Sequence, residues 1–238
     1  LQASMLPLAL VQSGLSTAEA TAAYGNFSGV ALSLIHLPGI FTATLAMALL
    51  PAIAEIEQDK MQLSRRINQS LHITAVIAAP FTLLFYAYAE QLCRWLFHAP
   101  QAAEPLRILA IGAFFIYAQT ALTSILQGMG RLRALLFSLL ASGGVFLLAI
   151  QYLVPRWGLG GAAAAYLLFS LSACLCDFLC LKLHTSMQLD VVNIFIKPML
   201  AAAPCLLLLK KAELLSSAEN INLFMLAAGL CAAIYISL

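Results

Sequence analysis

YGNFSGVALSLIHLPGIFTATLAMALLPAIAEIE, residues 24–57, decides the fold. From Asn26 to Leu50 it carries no charge unless His36 is protonated. That run of roughly 25 residues exceeds the ~20 needed to cross a bilayer core at 1.5 Å per residue. It reads as a transmembrane helix. Pro38 and Gly39 sit near its middle, where proline removes a backbone hydrogen bond and crowds the preceding turn, so a kink and a hinge are expected there. Such a break is tolerated in a membrane only beside protein or a wet cavity.

The rest of the chain repeats this plan. Of 238 residues, 63% are hydrophobic and 9% charged, whereas soluble domains carry charge on about 25%. The composition therefore predicts an all-α, polytopic transmembrane bundle whose main partner is membrane lipid. A formal net charge of +2 with no basic tract argues against a nucleic-acid partner. The six cysteines lie in or beside apolar runs, where cysteine behaves as a small hydrophobe, so no disulfide framework is expected. The opening LQASMLPLALVQSG is too short to span and lacks the features of a signal peptide. It reads as the tail of a helix, and the chain as a fragment of a longer protein.

Taken in order, residues 12–23 read as a polar connection. After the central helix, EIEQDKMQLSRRINQS places Ile56, Leu63, Ile67 and Leu71 at helical spacing, with Lys60, Arg65 and Arg66 between them. This pattern predicts an amphipathic helix on the headgroups. A span over 69–97 is expected to be interrupted in its middle by Pro80; another covers 106–127 and stops at Gln127-Gly128-Met129-Gly130. Further spans follow to about Val154, and after WGLGG through AAAAYLLFSLSACLCDFLCLKL. Residues 191–209 and 220–238 add two more, for about seven full spans and one partial. Lysine and arginine fall seven against five on the two sides, which predicts a cytoplasmic C-terminus.

Polar residues form stripes on three of these helices. Asn26, Gly29, Ser33, His36 and Thr44 share one face; Tyr117, Thr120, Ser124 and Gln127 share a second; Tyr166, Ser170, Cys174 and Asp177 share a third. Lipid-facing polar groups are unfavourable, so the stripes are expected to make either interhelical hydrogen bonds or a substrate path. Asn26, Ser33, His36, Thr44, Thr120, Ser124 and Gln127 are the candidate path residues. Asp177 is the one carboxylate inside an apolar span away from its ends, and is either a helix-paired aspartate or an ion-coupling group. Cys176, Cys180 and His184 recur at four-residue spacing, but zinc sites close with ligands from separate elements, so no metal and no cofactor is expected. No G-x-S-x-G elbow, phosphate-binding glycine loop or H-E-x-x-H helix is present, and connections are short; the chain reads as no enzyme.

Residues LSTAEATAAYGNFSGVALSLIHLPGIFTATLAMALLPAIAEI, ILQGMGRLRA and PRWGLGGAAAAYLLF resemble the multidrug/oligosaccharidyl-lipid/polysaccharide flippase superfamily, in its polysaccharide-biosynthesis and stage V sporulation protein B branch. The resemblance implies a fourteen-helix transporter of which residues 1–185 are the C-terminal six-helix lobe, the first helix truncated, and 186–238 the extra helix pair. It implies an alternating-access flippase of lipid-linked saccharide in the plasma membrane, completed by an N-terminal lobe. It also implies coupling to a proton or sodium ion, with Asp177 on the counterpart of the twelfth helix. The rival readings are a multidrug/cation antiporter of the same superfamily, an integral-membrane transferase, and a scaffold subunit of envelope synthesis.

Overall fold

Ser16 starts the first long helix. Its hydroxyl accepts from the Glu19 N–H, while the Glu19 carboxylate accepts from the Ser16 N–H at 2.9 Å. This reciprocal cap satisfies N–H groups that a first turn leaves without partners. Much of the polar connection expected over 12–23 is therefore already helical. The computed structural model describes residues 2–55 and 60–185, and among these it contains helices and no strand. Helix α1 (Gln2–Gln12) leads into α2 (Thr17–Gly25), which passes through a π-helical turn (Asn26–Ala31) into α3 (Leu32–Glu55). Next come α4 (Lys60–Ala87), α5 (Ala89–Phe97), a 3-10 turn (Pro100–Ala102), α6 (Ala103–Gly128) and α7 (Leu132–Thr185).

Two expectations change. Leu63, Ile67 and Leu71 are buried in the bundle, on a helix continuous with the apolar run that follows. Their stripe packs against protein rather than headgroups, because the neighbouring helices offer it a dry face. The span expected over 69–97 is interrupted at Tyr88: α4 continues through Pro80 to Ala87, and α5 is a separate short helix. That short helix buries Ala89, Leu92 and Cys93 and exposes Arg94, Leu96 and Phe97. Such a divided surface suits the edge of a membrane rather than its centre.

Helix α7 is bent back on itself at Gly158 (φ 54°, ψ −127°), a conformation that glycine adopts and other residues resist. Its two arms run antiparallel: Phe146 stacks edge-on against Phe169 with ring centroids 5.7 Å apart, and Ser138 reaches the Ala173 carbonyl at 3.4 Å. Gly160 and Gly161 keep the turn tight, since a Cβ on Gly161 would run into the Leu153 carbonyl.

Helix α6 is the centre of the described bundle, with Leu106, Leu109, Ala110, Ala113, Tyr117 and Leu122 enclosed, and α3, α4 and α7 packed around it. The second arm of α7 lies parallel to it: Glu104 approaches Gly160, Leu167 fills the space above Gly112, and Thr123 meets Asp177. Helix α3 is parallel as well, through Asn26 with Gln101 and Ile35 with Tyr117. Four described helices, the last being the bent α7, are long and apolar enough to cross a membrane. The expected extra pair over 186–238 lies outside the described residues.

Candidate functional site

Pro38 has no N–H to give to the Leu34 carbonyl, and the adjoining Ile35 carbonyl takes a side-chain donor from another helix. Tyr117 of α6, completely buried, donates its hydroxyl to that carbonyl at 2.6 Å. A Cβ on Gly39 would lie 3.7 Å from the Tyr117 ring, an ordinary contact distance, so the turn at Gly39 stands beside that ring. One turn further on, Thr42 is buried and donates to the Gly39 carbonyl at 3.0 Å. Helix α3 runs on through Pro38-Gly39, so the expected kink is not seen there, and the backbone acceptors that proline leaves are backed by protein, as a membrane requires.

The second irregularity lies upstream. The π-helical turn inserts an extra residue per turn and moves Leu32 N–H to the Phe27 carbonyl, five residues back. Ser33 likewise reaches the Ser28 carbonyl at 3.4 Å. Gly29, Ser33, His36 and Thr44 remain exposed on one side of the described bundle, with Leu37, Ile40 and Phe41 exposed beside them. Asn26 is tied at the end of this face to Gln101 of the 3-10 turn at 3.1 Å. His36 Nε2 lies 3.0 Å from the Tyr166 hydroxyl, its ring edge-on to the tyrosine, which joins α3 to the second arm of α7.

The α6 stripe divides. Tyr117 faces α3, Gln127 is exposed, and Thr120 and Ser124 are half-buried with hydroxyls turned to the Ile116 and Thr120 carbonyls of their own helix. Thr44 is similarly bonded to the Ile40 carbonyl. On the third stripe Ser170, Cys174 and Asp177 are buried. Asp177 Oδ2 accepts from Thr123 at 2.9 Å, the Ser138 hydroxyl also faces the carboxyl group, and the buried Oδ1 has no partner of good hydrogen-bond geometry among the described residues. Thr123, Tyr166, Gln101 and Ser138 lie outside the candidate residues that the sequence singles out. Tyr166 has a signal, as the head of the Asp177 stripe; Thr123 stands one residue from the candidate Ser124, and only the packing of α7 selects it. Cys176 and Cys180 are half-buried and in no disulfide among the described residues; the His184 side chain lies outside the described residues.

An apolar bundle with a polar stripe exposed on one face and an enclosed carboxylate is a membrane-type helical architecture. The chain belongs to the MatE family, whose model matches residues 4–153, and so to a family of membrane transporters. It is similar to stage V sporulation protein B of Bacillus subtilis, with 31% identity over 170 residues, covering 67% of this chain and 32% of that protein. It is also similar to sporulation protein YkvU of the same organism, 29% identical over 125 residues, 51% of this chain and 28% of the relative. The chain spans about a third of the length of each of these relatives.

Proposed function

We propose that the complete protein is an alternating-access flippase that carries a lipid-linked saccharide, a cell-envelope precursor, from the cytoplasmic to the outer leaflet. One observation carries the reading. On the exposed face of α3 a line of uncharged hydrogen-bonding groups, Ser33, His36 and Thr44, runs beside exposed Leu37, Ile40 and Phe41. Such a face suits an amphiphile: hydroxyl and imidazole groups match sugar hydroxyls, and the apolar flank matches a lipid chain. An extended polar line left against lipid would be unfavourable, so the face borders a cavity closed by an N-terminal lobe.

The reading requires no covalent chemistry, and the chain acts as a transporter without being an enzyme. Membrane lipids and the second lobe are its partners, and the names of both relatives suit a role in sporulation. The plasma membrane is its location. Lys60, Arg65, Arg66, Arg131, Arg133 and Lys182 mark one end of the described helices, against Arg94, Arg107 and Arg156 at the other. By the excess of positive charge on cytoplasmic loops, the first end is cytoplasmic. Bending at the π-helical turn and at Pro38-Gly39 lets the outer half of the α2–α3 rod swing as the lobes rock. Asp177 is the coupling group, for a proton or a sodium ion.

The test is movement of a fluorescent polyprenyl-diphosphate saccharide between leaflets in proteoliposomes of the full-length parent, with efflux of a cationic dye in parallel. The lipid should cross and the dye should stay. Replacing His36 by Leu should slow lipid movement several-fold while the protein remains folded. Dye efflux without lipid movement would assign the protein to the antiporter reading instead.

A further inference from the structure

Helix α4 turns two unlike edges outward and inward, and the bundle uses one of them. Leu63, Ile67 and Leu71 are buried, while Arg65, Arg66, Gln69 and His72 are exposed along the other side of the same turns. Further along that side come Ile73, Val76, Pro80 and Leu83, all half-buried. One edge of α4 therefore begins with guanidinium and amide groups and continues as an apolar rail. Depth follows from length. Counting roughly 20 residues, one hydrocarbon thickness at 1.5 Å per residue, back from the far end of α4 at Ala87 arrives near Ile67. Arg65 and Arg66 then stand at the level of the lipid phosphates, and the rail lies among the acyl chains. The same count in either direction from the turn at Gly158 stops short of Arg133 on the first arm of α7 and of Lys182 on the second, which places both cations at that level too.

Little in the described bundle neutralises these cations. Residues 60–89 and 105–176 contain no aspartate or glutamate, and Asp177 is enclosed and bonded to Thr123. Among the described residues the ion pairs are those of Glu90 with Arg94 and with Arg107, each at 3.7 Å, at the opposite end of the helices. Arg65, Arg66, Arg133 and Lys182 enter neither of them. One end of the bundle thus balances its cations internally, and the other presents positive charge that complements an anion from outside.

We propose that this edge of α4 is a binding site for an anionic glycerophospholipid of the adjoining leaflet, with the phosphate on Arg65 and Arg66 and an acyl chain along Val76, Pro80 and Leu83. Guanidinium groups bind phosphate oxygens in pairs, Gln69 offers an amide to the glycerol and ester oxygens one turn deeper, and the apolar rail matches a hydrocarbon chain. A soluble anion would use only the first part of the edge, and a neutral lipid only the last. Arg133 and Lys182 strengthen the attraction of anionic headgroups to this end of the bundle. The orientation in the transporter reading makes the leaflet the cytoplasmic one, but the site itself is independent of the cargo. A phospholipid held there fixes the depth of α4, which packs on α6 at the centre of the bundle.

The experiment compares the purified full-length parent with its Arg65→Gln/Arg66→Gln variant in detergent micelles doped with phosphatidylglycerol or with phosphatidylcholine of the same acyl chains. Phosphatidylglycerol should raise the thermal midpoint of the parent above its value in phosphatidylcholine, because a ligand held by the folded state stabilises it. High salt should shrink the difference. The variant should keep the phosphatidylcholine midpoint, since both arginines are exposed. It should need on the order of 25-fold more phosphatidylglycerol for the same rise, about fivefold for each cation. Glycerol 3-phosphate should give no rise. An equal rise from glycerol 3-phosphate would make this a site for a soluble phosphate and overturn the proposal. Equal midpoints in the two phospholipids, or an unchanged preference in the variant, would overturn it as well. Displacement of phosphatidylglycerol by an equimolar polyprenyl diphosphate would assign the edge to cargo and also refute it. If the double variant fails to fold, Gln69→Glu, which adds negative charge to the same edge, should weaken the preference several-fold; an unchanged preference would again count against the site. A protein that selects phosphatidylglycerol through Arg65 and Arg66 yet moves no saccharide lipid would lose the flippase reading and retain this one.

Discussion

Replacing Tyr117 by Phe keeps the ring under Gly39 and deletes the hydroxyl that reaches the Ile35 carbonyl at 2.6 Å. Because Tyr117 is completely buried, no water replaces that donor. A neutral hydrogen bond contributes about 1 kcal/mol net and an abandoned buried acceptor about 1–3 kcal/mol, while interhelical bonds in membranes average ~0.6 kcal/mol. The expected loss is therefore about 1–2 kcal/mol, a fall of a few degrees in thermal midpoint. Pro38→Ala, which restores a backbone N–H to the turn, completes a double-mutant cycle. Stability of the four proteins, followed by thermal unfolding in detergent, should give a coupling of about 0.5–1 kcal/mol, since the two residues share one turn of α3. A Tyr117→Phe protein as stable as the parent, or additive effects in the cycle, would show that the tyrosine does not support the turn that carries Pro38.

Two further predictions concern glycines with measurable geometric reasons. Gly158→Ala places a side chain at φ 54°, ψ −127° in the turn of α7, and should lower stability by about 1–3 kcal/mol, whereas Gly144→Ala, in open helical space on the first arm, should be neutral or slightly stabilising by thermal unfolding. Gly112→Val should destabilise by about 1–3 kcal/mol through overpacking, because any Cβ there overlaps the Leu167 side chain; Leu167→Ala in the same protein should recover much of the loss, and no recovery would locate the clash elsewhere.

The class of fold is legible in the amino-acid sequence, and the reason is the bilayer. A solvent that cannot hydrogen-bond leaves the helix as the natural form of a long apolar run, so Asn26–Leu50 and the runs after Lys60, Ala103 and Leu132 have one outcome. Termination signals are equally local: Gly130 adopts a positive φ after α6, and WGLGG turns α7 at Gly158. The expected headgroup helix is instead a packed one, because Leu63, Ile67 and Leu71 make the same pattern whether they meet lipid or protein. The helical start at Thr17 is legible as well, since Ser16-x-x-Glu19 is the pattern of a reciprocal cap, and reading 12–23 as a connection weighs its polar composition above that pattern.

The candidate residues divide in the same way. Periodicity marks His36 and Asp177 as unusual, since a titratable group in a membrane-length run stands out without knowledge of its neighbours. It carries no information on what they touch. Tyr166 opposite His36 and Thr123 opposite Asp177 stand 130 and 54 residues away in the chain, and only the parallel packing of α3 and the second arm of α7 beside α6 brings them together. By itself the sequence determined that the chain is helical and membrane-embedded, because that follows from backbone chemistry acting within one segment, whereas the break at Tyr88 and the passage of α3 and α4 through Pro38 and Pro80 came from the structure. Tertiary structure alone decided that His36 lies open on one face while Asp177 is enclosed, because burial belongs to the arrangement of several helices and to no single stretch.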